Sequence, residues 1–576
     1  MNRTGAWLAV RALEALGIKH TFGIPGVHNT ELYDELNASK QIEPVLVTHE
    51  GCGAFMADAV SRVSDDTGTL VIVPAAGATH AASGIGEAFL DGIPMLVISG
   101  GVRSGFDKRY QLHEIDQHAF MRALTKATFK VERHEDVVPT IFEAYRIAHS
   151  GEPGPVFVEI PVNVQIFPGE AAALPPPPQI VATSAATQAE IGRAADLLAR
   201  AKKPAIFVGW GAVDARREVE AIAELLQAPV ATTLQGLSAF SASHPLHAGF
   251  GFGLAAAPAA RNAFAGCDAM LAVGTRFSEI ATGSYGVTVP AGLVHVDINP
   301  EVFGANYPAA VALEGDAAAV LRPLLAALRA RIAARPADAK LQDRIRNDKE
   351  AYIEEWLRHD TGGRVSPARF FRTLRAQLPD DAIAAVDDGN HTYLTAELYP
   401  VRAPRSLIVP TDFNCMGYAV PAAIGAKLAR PEREVFAIVG DGAFMMTCME
   451  IATASRLGLG IVFYVFHDGE LSQIAQAQQI SYNRKPCTTL SLDVRGVALA
   501  TGAEYVPMQN DGEIPGAIAR AREVAQNGRP AIVDVNVDYS KRTAFTKGAV
   551  KSNFNRFPLK DRVRMAVRAV SRKVGG

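Results

Sequence analysis

The chain has 576 residues, of which 48% are hydrophobic and 20% charged, and it carries a net charge of −3. That length allows three or four domains of ordinary size. The near-neutral balance gives no reason to expect nucleic acid as a partner. Five scattered cysteines (Cys52, Cys267, Cys415, Cys448, Cys487) show neither metal spacing nor a disulfide framework, which fits a reducing cytoplasm. No basic-then-apolar leader opens the sequence, and no apolar run is long enough for a bilayer, so a cytoplasmic protein without an integral membrane segment is expected.

Helical and strand patterns alternate through residues 1–172. Residues 6–16 read as an amphipathic helix and 20–24 as a short strand turned by Pro25-Gly26. Another strand, 44–47, runs into His49-Glu50. A helical stretch rich in small residues, 51–63, follows, and then the apolar strands 69–74 and 94–99. Strands alternating with helices predict a parallel sheet covered on both faces. The run Pro175 to Pro178 favours an extended linker, placed at 173–188. The same rhythm returns in a central domain, 189–335, with strands before Gly209-Trp-Gly211 and Gly274-Thr-Arg276. The full Gly-x-Gly-x-x-Gly fingerprint is missing, so these read as tight turns of a Rossmann-like domain. Residues 336–364 are a charged, helix-prone connector, and a third α/β domain spans 365–540. The fold class is therefore α/β, with three Rossmann-like, doubly wound parallel-sheet domains. In the tail, 541–576, eleven Lys/Arg face one acid, Asp561, and Val563, Val567, Val570 and Val574 recur at helical spacing. That pattern predicts a basic surface helix, with a tail covering an anionic site or touching a membrane as the alternatives.

The third domain carries the strongest local signal. An apolar strand, 435–439, stops at Gly440-Asp-Gly442, a helix-like stretch occupies 445–457, and a second strand, 461–466, ends in His467-Asp-Gly-Glu470. In open α/β sheets ligands bind beyond the carboxyl ends of the strands. Small residues there let backbone N–H groups approach an anion at a helix N-terminus, and Asp441 and Asp468 can hold a hard cation. The pattern predicts a Mg²⁺-diphosphate site.

Over nearly its whole length the chain resembles the acetolactate synthase-like group of thiamine diphosphate enzymes. The resemblance rests on Gly23-Ile-Pro-Gly26, His49-Glu-Gly51, Gly77-Ala-Thr79, Gly84-Ile-Gly86, Ile93-Pro94, Glu114-Ile-Asp-Gln117, Pro153-Gly-Pro155, Met416-Gly417 before Pro421-Ala-Ala-Ile-Gly425, and Gly440-Asp-Gly442, in that order. It implies a pyrimidine-binding and a diphosphate-binding domain flanking the central one. By position alone Glu50 is a helix N-terminal acid favoured by the dipole. The resemblance makes it the catalytic carboxyl that bonds the aminopyrimidine ring. It makes Met416 the apolar prop of a bent cofactor, and places Gly389, Asn390, His391, Asn414, Gly440, Asp441, Gly442, Ala443, Asp468 and Leu471 around thiamine diphosphate. Mg²⁺ would rest on Asp441, Asp468 and the backbone carbonyl of Glu470.

Several positions depart from the family pattern. His467-Asp468 stands where Asn-Asn is usual, Leu112-His113-Glu114 replaces Phe-Gln-Glu, Gly77-Ala-Thr-His80 replaces Gly-Ala-Thr-Asn, and His28 follows Gly26-Val27 where several decarboxylases carry an acid. The resemblance thereby turns His28, His80 and His113 toward the thiazolium, where histidine can relay protons near neutral pH. Gln473 and Ala477 take the places of a Met and a Trp, Arg276-Phe-Ser-Glu-Ile280 lacks the family's second Arg, and Gly249-Phe-Gly-Phe-Gly253 alters the flavin-associated segment. These changes tell against FAD and against a true acetolactate synthase. The implied activity is a decarboxylase or carboligase. It adds the cofactor's C2 carbanion to a 2-oxo acid, releases CO₂, and protonates the enamine or passes it to a second carbonyl. A lyase or decarboxylase of 2-hydroxyacyl or oxalyl thioesters is the alternative, and a non-catalytic cofactor-binding homologue belongs to another class. The resemblance further implies a homodimer or homotetramer in which Glu50 and Asp441 come from different chains.

Overall fold

The computed structural model describes residues 2–574. It contains three six-stranded sheets, all of whose strand pairs are parallel. The first holds β1 (His20–Gly23), β2 (Glu43–Leu46), β3 (Gly68–Ile72), β4 (Met95–Gly101), β5 (Ala127–Lys130) and β6 (Pro155–Pro161), in the order β2-β1-β3-β4-β6-β5. The second holds β7 (Pro204–Val208), β8 (Val230–Thr232), β9 (His247–Phe250), β10 (Ala269–Val273), β11 (Gly292–Asp297) and β12 (Val311–Glu314), ordered β9-β8-β7-β10-β11-β12. The third holds β13 (Ile383–Val386), β14 (Leu407–Ile408), β15 (Val435–Gly440), β16 (Val462–His467), β17 (Glu504–Met508) and β18 (Ala531–Asn536), ordered β14-β13-β15-β16-β18-β17. β3, β4, β6 and β7 are buried along their whole length. Parallel sheets sandwiched between helices require that, and it explains why these strands read as continuous apolar runs.

Two helices join the first sheet to the third. α1 (Glu50–Val63) and α2 (Ala76–Asp91) follow β2 and β3. The connector forms α3 (Ala339–Leu357), largely solvated, with Ile345 and Trp356 buried. α4 (Asn390–Leu398) follows β13, and α5 (Ala419–Ala429) precedes β15. α1 and α5 share one hydrophobic core, and Gly425 lets them close, because a Cβ there would collide with the Met56 backbone. Inside this contact the fully buried Arg62 donates to Asp58 at 2.7 Å and Asp91 at 2.9 Å, and Tyr418 donates its hydroxyl to Asp58 at 2.7 Å. Removing one partner of such a buried pair costs about 3–5 kcal/mol, because the other charge is stranded.

The helix expected over 445–457 is different in the structure. α6 (Asp441–Thr447) begins four residues earlier, gives way to a 3₁₀ turn at Cys448–Glu450, and helix resumes at Ile451–Arg456. The break has a long-range cause. The buried Glu450 carboxylate accepts the Thr48 N–H at 3.0 Å and the Thr48 hydroxyl, binding this segment to the end of β2. β16 also runs one residue further than the apolar pattern, so His467 ends the strand.

Beyond Asp468 lies α7 (Ser472–Tyr482), and the chain ends in α8 (Ala544–Arg556) and α9 (Leu559–Val574). α8 is fastened to the body at its start. Glu397 accepts the Phe545 N–H at 2.7 Å and the Ala544 N–H at 3.1 Å. α9 packs against α7. The Val574 side chain lies outside the described residues. Among those residues, no helix is long and apolar enough to cross a membrane.

Candidate active site

The first and third sheets share one strand order. In each the chain moves to one side of its first strand and then back past it, creating a switch point between β1 and β3 and between β13 and β15. Crevices at such points, beyond the strand ends, are where α/β sheets bind ligands. The loops that leave these strand ends carry the predicted residues. His28 follows β1, Glu50 follows β2, and Gly77 and His80 follow β3. Gly389 to His391 follow β13, Gly440 to Ala443 follow or end β15, and Asp468 to Leu471 follow β16.

At the first sheet the polar groups satisfy one another. Glu50 opens α1 and is buried, and its Oε2 lies 3.0 Å from His80 Nδ1. A Cβ on Gly77 would meet Glu50 Oε1 at 3.4 Å, so small residues frame this carboxyl. His80 stacks on His49, with ring centroids 4.8 Å apart, and His49 Nδ1 accepts the Gly51 N–H at 3.0 Å to cap α1. His28 and His113 meet separately, Nδ1 to Nδ1, at 3.1 Å. One ring must donate and the other accept, so the contact holds one shared proton. Burial lowers the His28 pKa, and the charge of His113 lowers it further. The three histidines expected together thus divide into two groups, His28 with His113 and His80 with Glu50.

At the third sheet the arrangement is built around Asp441, the first residue of α6. Its Oδ1 accepts the Gly442 N–H at 2.8 Å, and its Oδ2 accepts the N–H groups of Gly469 at 2.8 Å and Asp468 at 3.2 Å. These bonds fasten the β16 loop to α6 and bring the two carboxylates together. Asp468 accepts the Ser472 hydroxyl through Oδ2, while its buried Oδ1 has no partner. Burial lifts Asp468 to about 6, against the opposing pull of the Ser472 bond. His467 bonds Asp534 at 2.9 Å, which raises its pKa, and the nearby Asp441 and Asp468 add to that. The Glu470 carboxylate is turned to Lys485 at 2.8 Å and to Thr488, and its backbone carbonyl accepts the Ser472 N–H at 2.8 Å. No group of three or more His, Cys, Asp or Glu among the described residues is arranged to hold a metal.

More buried atoms around this switch point lack partners: Asp388 Oδ1, Asn390 Nδ2 and His391 Nε2. Burial holds His391 down to about 3, so its ring is neutral. Glycine keeps the space open. Gly389 has φ +149° and Gly417 φ +86°, and a Cβ on Gly440 would come within 3.0 Å of the His391 ring. A Cβ on Gly442 would collide with Leu471 and lie 3.6 Å from Met416 Cε, so Met416 and Leu471 border the same space. Ala443 is buried behind it. Asn414, at φ +63°, hydrogen-bonds Asp388.

Three buried acids outside the predicted set, Asp387, Glu87 and Glu450, hold the neighbouring loops. Buried Asp387 accepts the N–H groups of Gly417 at 2.9 Å and Ala419 at 2.7 Å and is pushed up to about 7. Glu87 accepts those of Cys415 at 2.9 Å and Thr411 at 3.1 Å and is pushed up to about 9 by burial and the nearby Asp91. Together they fix the loop that carries Asn414 and Met416. The Asp387-Asp388 doublet after an apolar strand was a usable signal. Glu87 and Glu450 act across more than 300 residues and leave none.

A separate cavity of about 380 Å³ opens at the switch point of the second sheet, lined by Gly209, Trp210, Gly274, Arg276, Asp297 and Arg405 among others. Both of its arginines are already paired, Arg276 with Glu152 at 3.1 Å and Asp412 at 2.8 Å, and Arg405 with Asp214 at 2.6 Å.

Three family models match the chain. They are the thiamine pyrophosphate enzyme N-terminal TPP binding domain at residues 3–120, the central domain at 191–324 and the C-terminal TPP binding domain at 387–535. Similar proteins include the acetolactate synthase large subunit of Corynebacterium glutamicum, 34% identical over 92% of this chain and 86% of that one. The acetolactate synthase isozyme 3 large subunit of Escherichia coli is 31% identical over 93% and 95%. A probable acetolactate synthase large subunit of Methanocaldococcus jannaschii is 31% identical over 93% and 92%.

Proposed function

Because this chain belongs to the thiamine pyrophosphate enzymes, we propose that the first and third switch points are the two halves of its cofactor site, and that it is an acetolactate synthase-like carboligase or decarboxylase of a 2-oxo acid. The observation that carries this is the set of buried, unpartnered polar atoms at the third sheet, on Asp388, Asn390, His391 and Asp468. Native interiors leave few such atoms, and each calls for an explanation. A diphosphate and a hard cation supply what they lack. Asn390 offers N–H donors for phosphate oxygens, and Asp441 and Asp468 offer oxygens for Mg²⁺. Two carboxylates and one carbonyl do not complete a six-oxygen shell, so the remaining oxygens would come from diphosphate and water.

When bound, thiamine diphosphate supplies a nucleophilic carbon for the 2-oxo acid carbonyl and an electron sink for the loss of CO₂. The residues of this chain position and protonate. We assign Glu50 to exchange a proton with the aminopyrimidine ring, with His80 bonded to its far oxygen. Met416 and Leu471 set the shape of the bound cofactor. The His28–His113 pair holds a proton that can move between two nitrogens, suited to a substrate oxygen. The altered Gly249–Gly253 stretch and the paired state of Arg276 and Arg405 support a reading in which no flavin takes part.

The two halves come from different copies of the chain in this proposal. Within one copy Thr48, at the end of β2, is bound to Glu450 and not to Asp441. Apolar residues stand exposed beside each half, Val27, Leu112 and Ile115 at the first and Met445, Met446 and Met449 at the third. An isologous dimer would cover both sets at once.

The test has two arms. The chain with thiamine diphosphate and Mg²⁺ is offered a panel of 2-oxo acids and acyl thioesters, and CO₂ and ligated product are measured. Turnover of a 2-oxo acid is the expected result. Turnover confined to thioesters overturns the substrate class. In the second arm, Glu50→Gln and Asp441→Ala chains are unfolded, mixed and refolded together. Recovered activity supports sites shared between chains, and none excludes them.

A further inference from the structure

α9 is mounted with its apolar side outward. At 100° per residue, Leu559, Val563, Val567 and Val570 fall on one stripe, and they are 69%, 53%, 62% and 60% exposed. The less exposed residues, Asp561, Arg562, Ala569 and Arg572, lie on the far side of the helix. There the Arg572 guanidinium sits 4.6 Å from the ring centroid of Tyr482, the last residue of α7. A helix packed on a globular body ordinarily turns its apolar stripe inward. This one rests on α7 with Arg572 over the Tyr482 ring and offers its valines to the surroundings. Lys560 and Arg564 lie beside the stripe and Arg568 further round the helix, all exposed, and the nearest acid, Asp561, is 3.6 Å from Arg564.

We propose that the outer face of α9 docks on an anionic lipid bilayer, with the Leu559–Val570 stripe set into the boundary between headgroups and acyl chains and the basic edge against lipid phosphates. Charge favours this occupant. Eleven of the chain's 57 Lys/Arg lie after Ser540 against one of its 60 Asp/Glu, so the tail is strongly basic on a body that is acidic as a whole. A second copy docking isologously through this face would set one basic edge near another. The helix is too short and too charged to span, which leaves an in-plane position. It is also presented on a fixed base, since Glu397 holds the start of α8 and Arg572 holds the end of α9 on α7.

Flotation of the full chain, loaded with thiamine diphosphate and Mg²⁺, tests this. The probes are phosphatidylcholine vesicles with and without phosphatidylglycerol. Wild type is expected to float with the anionic vesicles, to stay behind with phosphatidylcholine alone, and to be released by high salt. Two variants, Val563→Asp with Val567→Asp, and Lys560→Glu with Arg564→Glu and Arg568→Glu, change only exposed side chains. Each should keep the wild-type melting temperature and weaken flotation by at least about tenfold. The proposal is overturned if wild type ignores anionic vesicles, if it floats equally with both kinds, or if both variants float as wild type does. It is also overturned if the valine variant halves the mass in solution, which would make the stripe an interface between copies.

Discussion

The first and third sheets are wound identically, and their switch points carry the two halves of one proposed site, but they treat their polar groups in opposite ways. At the first, Glu50 is bonded to His80 and His28 to His113, and none of these four side chains has an unpartnered buried atom. At the third, Asp388, Asn390, His391 and Asp468 each do. A buried polar atom without a partner costs about 1–3 kcal/mol. The side chains at the third switch point therefore leave a deficit that a ligand would relieve, whereas Glu50, His80, His28 and His113 form closed pairs that can trade protons without one. In the proposed function, binding and chemistry are divided between two copies of the same topology.

The largest effect that could break this division is on turnover. Glu50→Gln keeps the size of the side chain and a hydrogen bond to His80 but cannot exchange the proton. We expect activity to fall by at least about 100-fold, the range for a lost acid–base group. The stabilisation of the folded chain by thiamine diphosphate and Mg²⁺ should be nearly unchanged. Unchanged turnover would remove Glu50 from the chemistry and with it the functional meaning of the first sheet.

Asp441→Ala should do the reverse. Saturating a site at 100 times its Kd stabilises the fold by about 2.7 kcal/mol, and that rise in melting temperature should be present in wild type and in Glu50→Gln. In Asp441→Ala it should disappear, because the variant loses the proposed metal oxygen and also the bonds that hold Gly469 and Asp468 in place. A full thermal shift in the alanine variant would show that the third sheet does not carry the cofactor.

The sequence revealed these two halves unequally. Gly440-Asp-Gly442 and its spacing to Asp468 could be read because a strand end, a tight turn and a helix start are local, and each needs a particular residue type in place. The alternation of strands and helices likewise implied three parallel sheets, since buried parallel strands must be apolar throughout. The pairing of His28 with His113, 85 residues apart, could not be read, nor could Glu450 reaching Thr48 and breaking the helix expected over 445–457. The valine spacing in α9 announced an amphipathic helix, but nothing in a periodicity says which side faces the body. What was lost were the contacts that exist only after the sheets have docked.

Asp387 offers a subtler probe of the third sheet. It sits at about 7, raised by burial from the usual carboxyl value, while it holds the Gly417 and Ala419 amides. Its folded pKa exceeds its unfolded one, so between about 4 and about 7 the folded state binds more protons. Its contribution to stability is therefore present at low pH and lost as pH rises through that window. Asp387→Asn cannot titrate. Its melting temperature, measured without cofactor from pH 4 to 8, should decline less steeply than that of wild type. An identical slope would mean that Asp387 is ionised throughout, held so by its two amides.

The smallest effect is expected at the first sheet, and it bears on whether the histidines act as a pair. His28 is held below the ordinary histidine value, first by burial and second by the charge of His113. It therefore stays neutral through pH 7 and gains a proton only on the acid side. His113→Asn removes the second influence and leaves the first, so the His28 pKa should rise. The acid limb of kcat/KM, which reports groups of the free enzyme, should then move to higher pH. The substitution suits the backbone, because residue 113 sits at φ +66° and asparagine tolerates that region well. A shift in the limb with little loss of maximal rate would identify His28 as the titrating group and His113 as its tuner. A large loss of rate with an unmoved limb would instead make His113 the residue that meets the substrate, and the closed proton set at this sheet would reduce to Glu50 and His80.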